Sequence, residues 1–113
     1  MKIENSIAQM KKGVLEMCIL SIIRQEQAYP SDIIQKLRTA ELIVVEGTLY
    51  PILTRLKNSG HLEYHWKESN AGPPRKYFTI TESGKVALNT LSVSWTQFVQ
   101  SVNQSLQIKN DHE

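Results

Sequence analysis

The chain has 113 residues, 41% of them hydrophobic and 21% charged, which fits one folded domain and excludes an intrinsically disordered tail. No segment approaches the ~18 consecutive apolar residues that a membrane-spanning helix needs, and the first residues lack the apolar core of a secretory signal. We therefore expect a cytoplasmic protein with no membrane partner. The single cysteine, Cys18, lies in an apolar run, so the sequence predicts a reduced core thiol and not a catalytic nucleophile.

Positive charge is concentrated in the middle of the chain. Residues 1–46 carry six basic and six acidic side chains, and residues 81–113 carry a net charge of −1. Residues 47–80 hold five basic residues against two acidic ones, a net charge of +3. An anionic partner is therefore expected first at this segment, although an ordinary solvated surface with uneven charge fits the same numbers.

Two helices are predicted before residue 42. An apolar residue recurs every three or four positions at the start of the chain, at Ile3, Ile7, Met10 and Val14. The following residues are almost continuously apolar to Ile23, which predicts one helix over about residues 3–25 with a bend at Gly13. A second helix is predicted from Pro30 to residue 39 or 41, because proline and Asp32 both suit a first helical turn. Residues 42–45 are predicted to form a connector or a short strand.

A third helix is predicted between residues 46 and 59, with Gly60 just beyond its C-terminus. Because Pro51 lacks an N–H, we expect this helix to begin at Gly47 or Thr48, within a residue or two. Its inner face is formed by Leu49, Ile52, Leu53 and Leu56. Its outward face carries Thr48, Tyr50, Pro51, Thr54, Arg55, Lys57 and Asn58. Hydroxyl, aromatic and basic groups in this arrangement suit contacts with phosphates and base edges.

A hairpin is predicted next. Residues 62–67 alternate between apolar and polar types, which indicates a half-buried strand, and residues 75–80 form a second strand. Residues 68–74 are turn-forming, so a loop of about six residues is expected between the strands. Arg75 and Lys76 directly follow the tip, where they are suited to contact nucleic acid.

The last predicted helix begins after Thr81, which is expected to be its N-cap, and carries a narrow apolar seam. The seam residues are spaced by three, four, three and four, and they are Leu88, Leu91, Trp95, Phe98 and Val102. A narrow heptad seam favours packing on another helix, most simply that of a second copy of the chain. Packing on the same domain is the alternative. The polar residues 109–113 are predicted to be frayed.

The order of these elements predicts a fold that is mainly α with a small β-hairpin. We assign residues 1–80 to a winged helix-turn-helix that binds DNA and residues 81–108 to a C-terminal dimerisation helix. A two-fold dimer binds double-stranded DNA with two-fold related half-sites. The runner-up function is a winged-helix module that binds proteins and not DNA. An enzyme is not expected, because His61 and His65 have no third metal ligand at suitable spacing, and no cofactor, catalytic residue or metal is predicted.

The sequence resembles the PadR family of bacterial transcriptional regulators. The segments that carry the resemblance are residues 12–20 (KGVLEMCIL), residues 46–56 (EGTLYPILTRL), Gly60 with Leu62, residues 72–81 (GPPRKYFTIT) and Gly84. At residues 29–32 the chain reads Tyr-Pro-Ser-Asp, where many members have a glycine and tyrosine pair. The short C-terminal region is similar to the small branch of the family, which has a single C-terminal helix.

The resemblance implies a dimeric repressor, often of a neighbouring transporter or detoxification gene. It implies DNA contacts by Thr48, Tyr50, Arg55, Arg75 and Lys76, to which the outward helix face adds Thr54 and Lys57. It also implies that the first and last helices form the dimer. The N-terminal apolar stripe, Ile3, Ile7 and Met10, fits that role because the winged core does not need it.

Two aromatic residues on the dimer seam are candidates for an inducer site. Trp95 and Phe98 would stack on a flat, apolar aromatic compound held between helices. The alternative is that both residues are simply part of the dimer core.

Overall fold

Five helices and one antiparallel hairpin form the regular structure of residues 2–107, which are the residues that the computed structural model describes. The elements are α1 (Ile3–Lys12), α2 (Leu15–Gln25), α3 (Pro30–Thr39), α4 (Glu46–Asn58), β1 (Leu62–Ser69), β2 (Gly72–Ile80) and α5 (Glu82–Ser105). This order is a winged helix-turn-helix followed by a long helix, which confirms the predicted fold class. The predicted frayed tail, residues 109–113, lies outside the described residues. Within them, no helix is both long and apolar enough to cross a membrane.

The N-terminal region forms two helices where the sequence predicted one bent helix. The N–H of Gly13 still donates to the carbonyl of Gln9, four residues back, but that of Val14 donates to the carbonyl of Lys11, only three residues back, so the regular helix ends there. The two helices have different surroundings, because α2 buries four apolar residues in the core and α1 buries none. A continuous helix would carry both segments along one axis, whereas the break at Gly13 lets α2 enter the core alone.

The second and third predicted helices are confirmed as α3 and α4. The N–H of Tyr29 donates to Oδ2 of Asp32 at 3.1 Å, which caps the start of α3. The start of α4 is Glu46, within the stated residue or two of the predicted start at Gly47 or Thr48. Pro51 therefore lies in the second turn of α4 and removes the backbone hydrogen bond that the carbonyl of Gly47 would otherwise accept. Residues 42–45 form an irregular connector and not a strand.

The hairpin is longer and its turn is tighter than predicted. The strands extend to Ser69 and resume at Gly72, so the expected loop of about six residues is wrong. The two prolines, Pro73 and Pro74, lie inside β2, where the register shifts between the pairs Lys67–Arg75 and Ser69–Gly72. Proline is tolerated in a strand at such an irregularity because its missing N–H breaks no regular ladder bond.

The core lies between α2, α3, α4 and the base of the hairpin. Its most deeply buried side chains are Ile19, Leu20, Ile33, Leu37, Leu49, Leu53 and Leu62. Ala28 pairs with Phe78 through two backbone hydrogen bonds of 3.1 and 2.8 Å, which fixes the hairpin to the segment between α2 and α3. This pairing holds the base of the hairpin in place relative to the helices.

The start of α5 packs tightly on the hairpin. Oγ1 of Thr81 accepts a hydrogen bond from the N–H of Gly84 and donates one to the carbonyl of Gly60. At Gly84, an added Cβ would overlap the carbonyl oxygen of His61 and lie 2.7 Å from Cγ1 of Ile80. Only glycine therefore allows this approach. Further along α5, Leu88 is the last residue of the helix that belongs to the chain's own core.

Candidate nucleic-acid interface

The outward face of α4 is exposed as the sequence predicted. The opposite face is buried in the core through Leu49, Ile52, Leu53 and Leu56. On the outward face, the side chains of Tyr50, Thr54, Arg55 and Lys57 are exposed and that of Thr48 is half-buried. The apolar spacing of α4 therefore fixes which groups this helix presents to a partner.

Arg55 is held by an ion pair that the sequence did not reveal. Its Nε and Nη2 atoms donate to the same oxygen, Oε1 of Glu16 in α2, at 2.9 and 2.6 Å. The Arg55 side chain is still 60% exposed. The pair joins residues that are 39 positions apart, so no local pattern predicts it. The pair therefore orients the Arg55 guanidinium relative to α2.

Arg75 connects the hairpin to the start of α3. Its guanidinium carbon lies 3.8 Å from the centre of the Tyr29 ring, and Nη2 donates to Oγ of Ser31 at 3.0 Å. Tyr77 meets the same ring edge to face, with centroids 6.2 Å apart. Arg75 is thus exposed but preorganised by an aromatic ring and a hydroxyl group.

Lys76 lies on the other face of the hairpin, among aromatic rings. Its Nζ is 3.8 Å from the centre of the Tyr64 ring and 5.7 Å from that of Trp66. Lys57, at the end of α4, places its Nζ 5.5 Å from the same Tyr64 ring. We call these four residues the wing cluster. They join the end of α4 to the hairpin in one positively charged surface.

Sequence reasoning missed the aromatic half of the wing cluster. The strand alternation that predicted β1 also contained the signal, because it places Leu62, Tyr64 and Trp66 on one face. The pairing of Trp66 with Lys76 across the hairpin completes that face. Both residues lie within the predicted strands, residues 62–67 and 75–80, but no register between those strands was predicted.

A second exposed surface is apolar and lies along α5. Leu88 is 6% exposed, but the other four seam residues are between 37% and 63% exposed. In α1, the three residues predicted for the dimer, Ile3, Ile7 and Met10, are also exposed. Between the two surfaces runs an open groove of about 530 Å³, lined by Met10, Met17, Trp95, Phe98 and Val102 among others. The predicted ligand residues therefore lie in the same groove as part of the predicted dimer surface.

His61, His65 and Cys18 each lie against neighbouring groups of the fold. Nδ1 of His61 lies 2.9 Å from Oγ of Ser83, whereas the ring of His65 lies on Tyr77 with centroids 5.4 Å apart. Burial raises the pKa of the Cys18 thiol, which disfavours the reactive thiolate. Among residues 2–107, no three histidine, cysteine or acidic side chains are grouped as metal ligands.

Comparison with known proteins identifies relatives over most of the chain. Residues 19–90 match the family model described as the transcriptional regulator PadR-like family. A protein of Lysinibacillus sphaericus, described as uncharacterized, is 30% identical over 95 residues, which are 81% of this chain and 87% of the relative.

Three solved structures are similar to this chain in both fold and sequence. A PadR-like transcription factor from Bacteroides fragilis is 55% identical, with a TM-score of 0.75 over 88% of this chain and 97% of that one. A PadR-like transcriptional regulator from Bacillus cereus is 40% identical, with a TM-score of 0.76 over 89% and 99%. A PadR family regulator from Eggerthella lenta is 27% identical, with a TM-score of 0.87 over 95% and 94%.

Proposed function

We propose that this chain, which belongs to the PadR-like family of transcriptional regulators, is a DNA-binding regulator that acts as a homodimeric repressor released by a small molecule. The wing cluster carries the DNA part of this proposal. Lys57 from α4 and Lys76 from the hairpin converge on the Tyr64 ring, so both predicted DNA-binding elements present positive charge on one surface.

The proposed contacts divide into two kinds. Thr48, Tyr50 and Thr54 on the outward face of α4 are proposed to face base edges, with Arg55 held beside them by Glu16. The cations Lys57, Arg75 and Lys76 are proposed to contact phosphates, which supply most of the affinity but little sequence selectivity. The preorganised surroundings of Arg75 and Lys76 support this role, because less side-chain entropy is lost on binding.

A mobility-shift assay tests the proposed function. The purified chain is incubated at physiological salt with DNA from upstream of its own coding sequence and with a shuffled fragment of equal composition. We expect the upstream fragment to be retained at least about a thousandfold more tightly. Equal retention of both fragments would contradict a sequence-specific regulator. A reporter gene placed behind the retained fragment should be silenced, and its activation would contradict the repressor assignment.

The salt dependence of binding tests the phosphate contact of Lys76. Replacing Lys76→Ala should reduce the slope of log affinity against log salt by about one, because one phosphate contact and its released counterion are lost. The ranking of operator sequences should stay the same. Lys85→Ala is the matched control, since Lys85 lies on α5 and pairs with Glu82 at 3.1 Å. An unchanged slope in Lys76→Ala would exclude this lysine from the interface.

Homodimerisation is proposed through α1 and α5. The supporting observation is that α1 buries none of its residues, while α5 leaves the core after Leu88 and exposes four seam residues beyond it. In a two-fold symmetric dimer, the apolar stripes on α1 and α5 of one chain would pack against the same stripes of the second copy. The resulting dimer would present two copies of α4 to two half-sites of an operator.

The inducer is proposed to be a flat, apolar aromatic compound bound near Trp95 and Phe98. The groove beside these residues has a volume of about 530 Å³, within the range of small-molecule sites. In a Trp66→Phe chain, Trp95 is the only tryptophan, and its fluorescence should change on titration with planar aromatic compounds. The same compounds should weaken DNA binding. A Trp95→Leu chain that still releases DNA at the same compound concentration would contradict the site.

A further inference from the structure

Trp66 is a large aromatic side chain that remains mostly exposed, although it belongs to a row that is buried at its inner end. Leu62, Tyr64 and Trp66 lie on one face of β1, and their exposure increases outward. Leu62 is 1% exposed, Tyr64 is half-buried beneath two lysines, and Trp66 is 64% exposed. The row therefore continues past the end of α4 and presents an indole ring beyond the core.

The surroundings of Trp66 indicate the kind of partner. The ring meets Tyr64 edge to face, with centroids 6.4 Å apart and planes at 87°. The ammonium groups nearest this face belong to Lys57 and Lys76, and the second of them lies opposite Trp66 in the hairpin register. A surface of this kind needs a partner that is polyanionic and also offers apolar area.

We propose that Trp66 is a DNA-contacting residue whose indole packs on the deoxyribose of the strand that Lys57 and Lys76 neutralise. Duplex DNA fits both requirements, because its sugars lie directly beside its phosphates and contribute many of the contacts in protein–DNA interfaces. The position of Trp66 on the α4 side of the hairpin lets α4 and the indole meet the same duplex. The contact reads no base, so it adds affinity equally to every sequence. This inference rests on the proposed DNA-binding surface and extends it by one residue.

Fluorine NMR tests the contact in an otherwise unchanged chain. Incorporation of 5-fluorotryptophan gives two resonances, one for each tryptophan, and Trp66→Phe assigns them. Binding is followed in parallel by the anisotropy of a labelled duplex. We expect the Trp66 resonance to shift along the same saturation curve as the anisotropy. If the anisotropy saturates while the Trp66 resonance stays in place, the inference is overturned and DNA binding itself stands. If the anisotropy does not change at all, the chain does not bind the duplex, and the proposed function itself is contradicted.

Affinity measurements give the second test. Trp66→Ala should weaken binding about tenfold for operator and shuffled DNA alike, because it removes apolar contact area and leaves all cations in place. The salt slope should not change, in contrast to Lys76→Ala. Val93→Ala removes an exposed apolar side chain on α5 instead of the hairpin and is the matched control. A loss confined to the operator, or no loss, would overturn the proposed sugar contact. Circular dichroism checks that the Trp66→Ala chain keeps its fold. If it does not, the fluorine NMR result on the otherwise unchanged chain decides the question.

Discussion

Replacing Phe98→Asp is expected to convert the proposed homodimer into monomers and to weaken operator binding by at least about a hundredfold. Phe98 is 63% exposed in the single chain, so the substitution leaves the chain's own core intact. In a symmetric interface it would bury two carboxylates without partners, a cost of several kcal/mol for each. Light scattering after gel filtration measures the mass, and a mobility shift measures the affinity.

The same helix provides a close control for this substitution. Val93 is 58% exposed and lies on the side of α5 opposite the seam, so Val93→Asp adds the same charge to the same helix away from the interface. We expect Val93→Asp to remain dimeric and to bind the operator as the unchanged chain does. A dimeric Phe98→Asp chain would show that the seam is not the interface, whereas dissociation of both variants would indicate a general effect of charge on α5.

Replacing Gly84→Ala is expected to lower the free energy of unfolding by about 3 kcal/mol. The new Cβ would overlap the carbonyl oxygen of His61, which is a backbone atom and already accepts the N–H of Thr81 at 3.1 Å. A flexible side chain would move aside at low cost, but here α5 and the base of β1 must separate. Urea unfolding at a fixed protein concentration measures the loss.

Gly72→Ala is the control for the substitution at Gly84. Gly72 starts β2, and an added Cβ there would have no neighbouring atom within 4 Å. We expect its free energy of unfolding to stay within about 0.5 kcal/mol of the unchanged chain. Equal unfolding midpoints for the two variants would mean that the contact between α5 and His61 relaxes without cost.

Periodic apolar residues were sufficient to predict most elements of the fold. The inner face of α4 fixed both the extent of that helix and its outward groups, because side-chain direction follows directly from helical spacing. The hairpin was predicted less well. Pro73 and Pro74 are typical of loops, and only the pairing partner on β1 shows that an irregular register accommodates them.

The finer structure of the interface depends on contacts between distant segments. Glu16 meets Arg55 across 39 residues, and Ser31 meets Arg75 across 44. Sequence patterns place each of these residues on a face of its own element, but they do not say which faces meet. The sequence therefore predicted which element carries each cation, and the structure adds what orients them.

In the proposed homodimer, the first helix would make the helical content of each chain depend on protein concentration. A helix of 10 residues is only marginally stable by itself in water, and α1 contributes no side chain to the core of its own chain. In the proposed homodimer, its ordering is linked by mass action to association, so dilution should unwind α1 while the rest of the domain stays folded. The number of molecules in a cell would then set not only how much of the protein is assembled but also how much of each chain is helical.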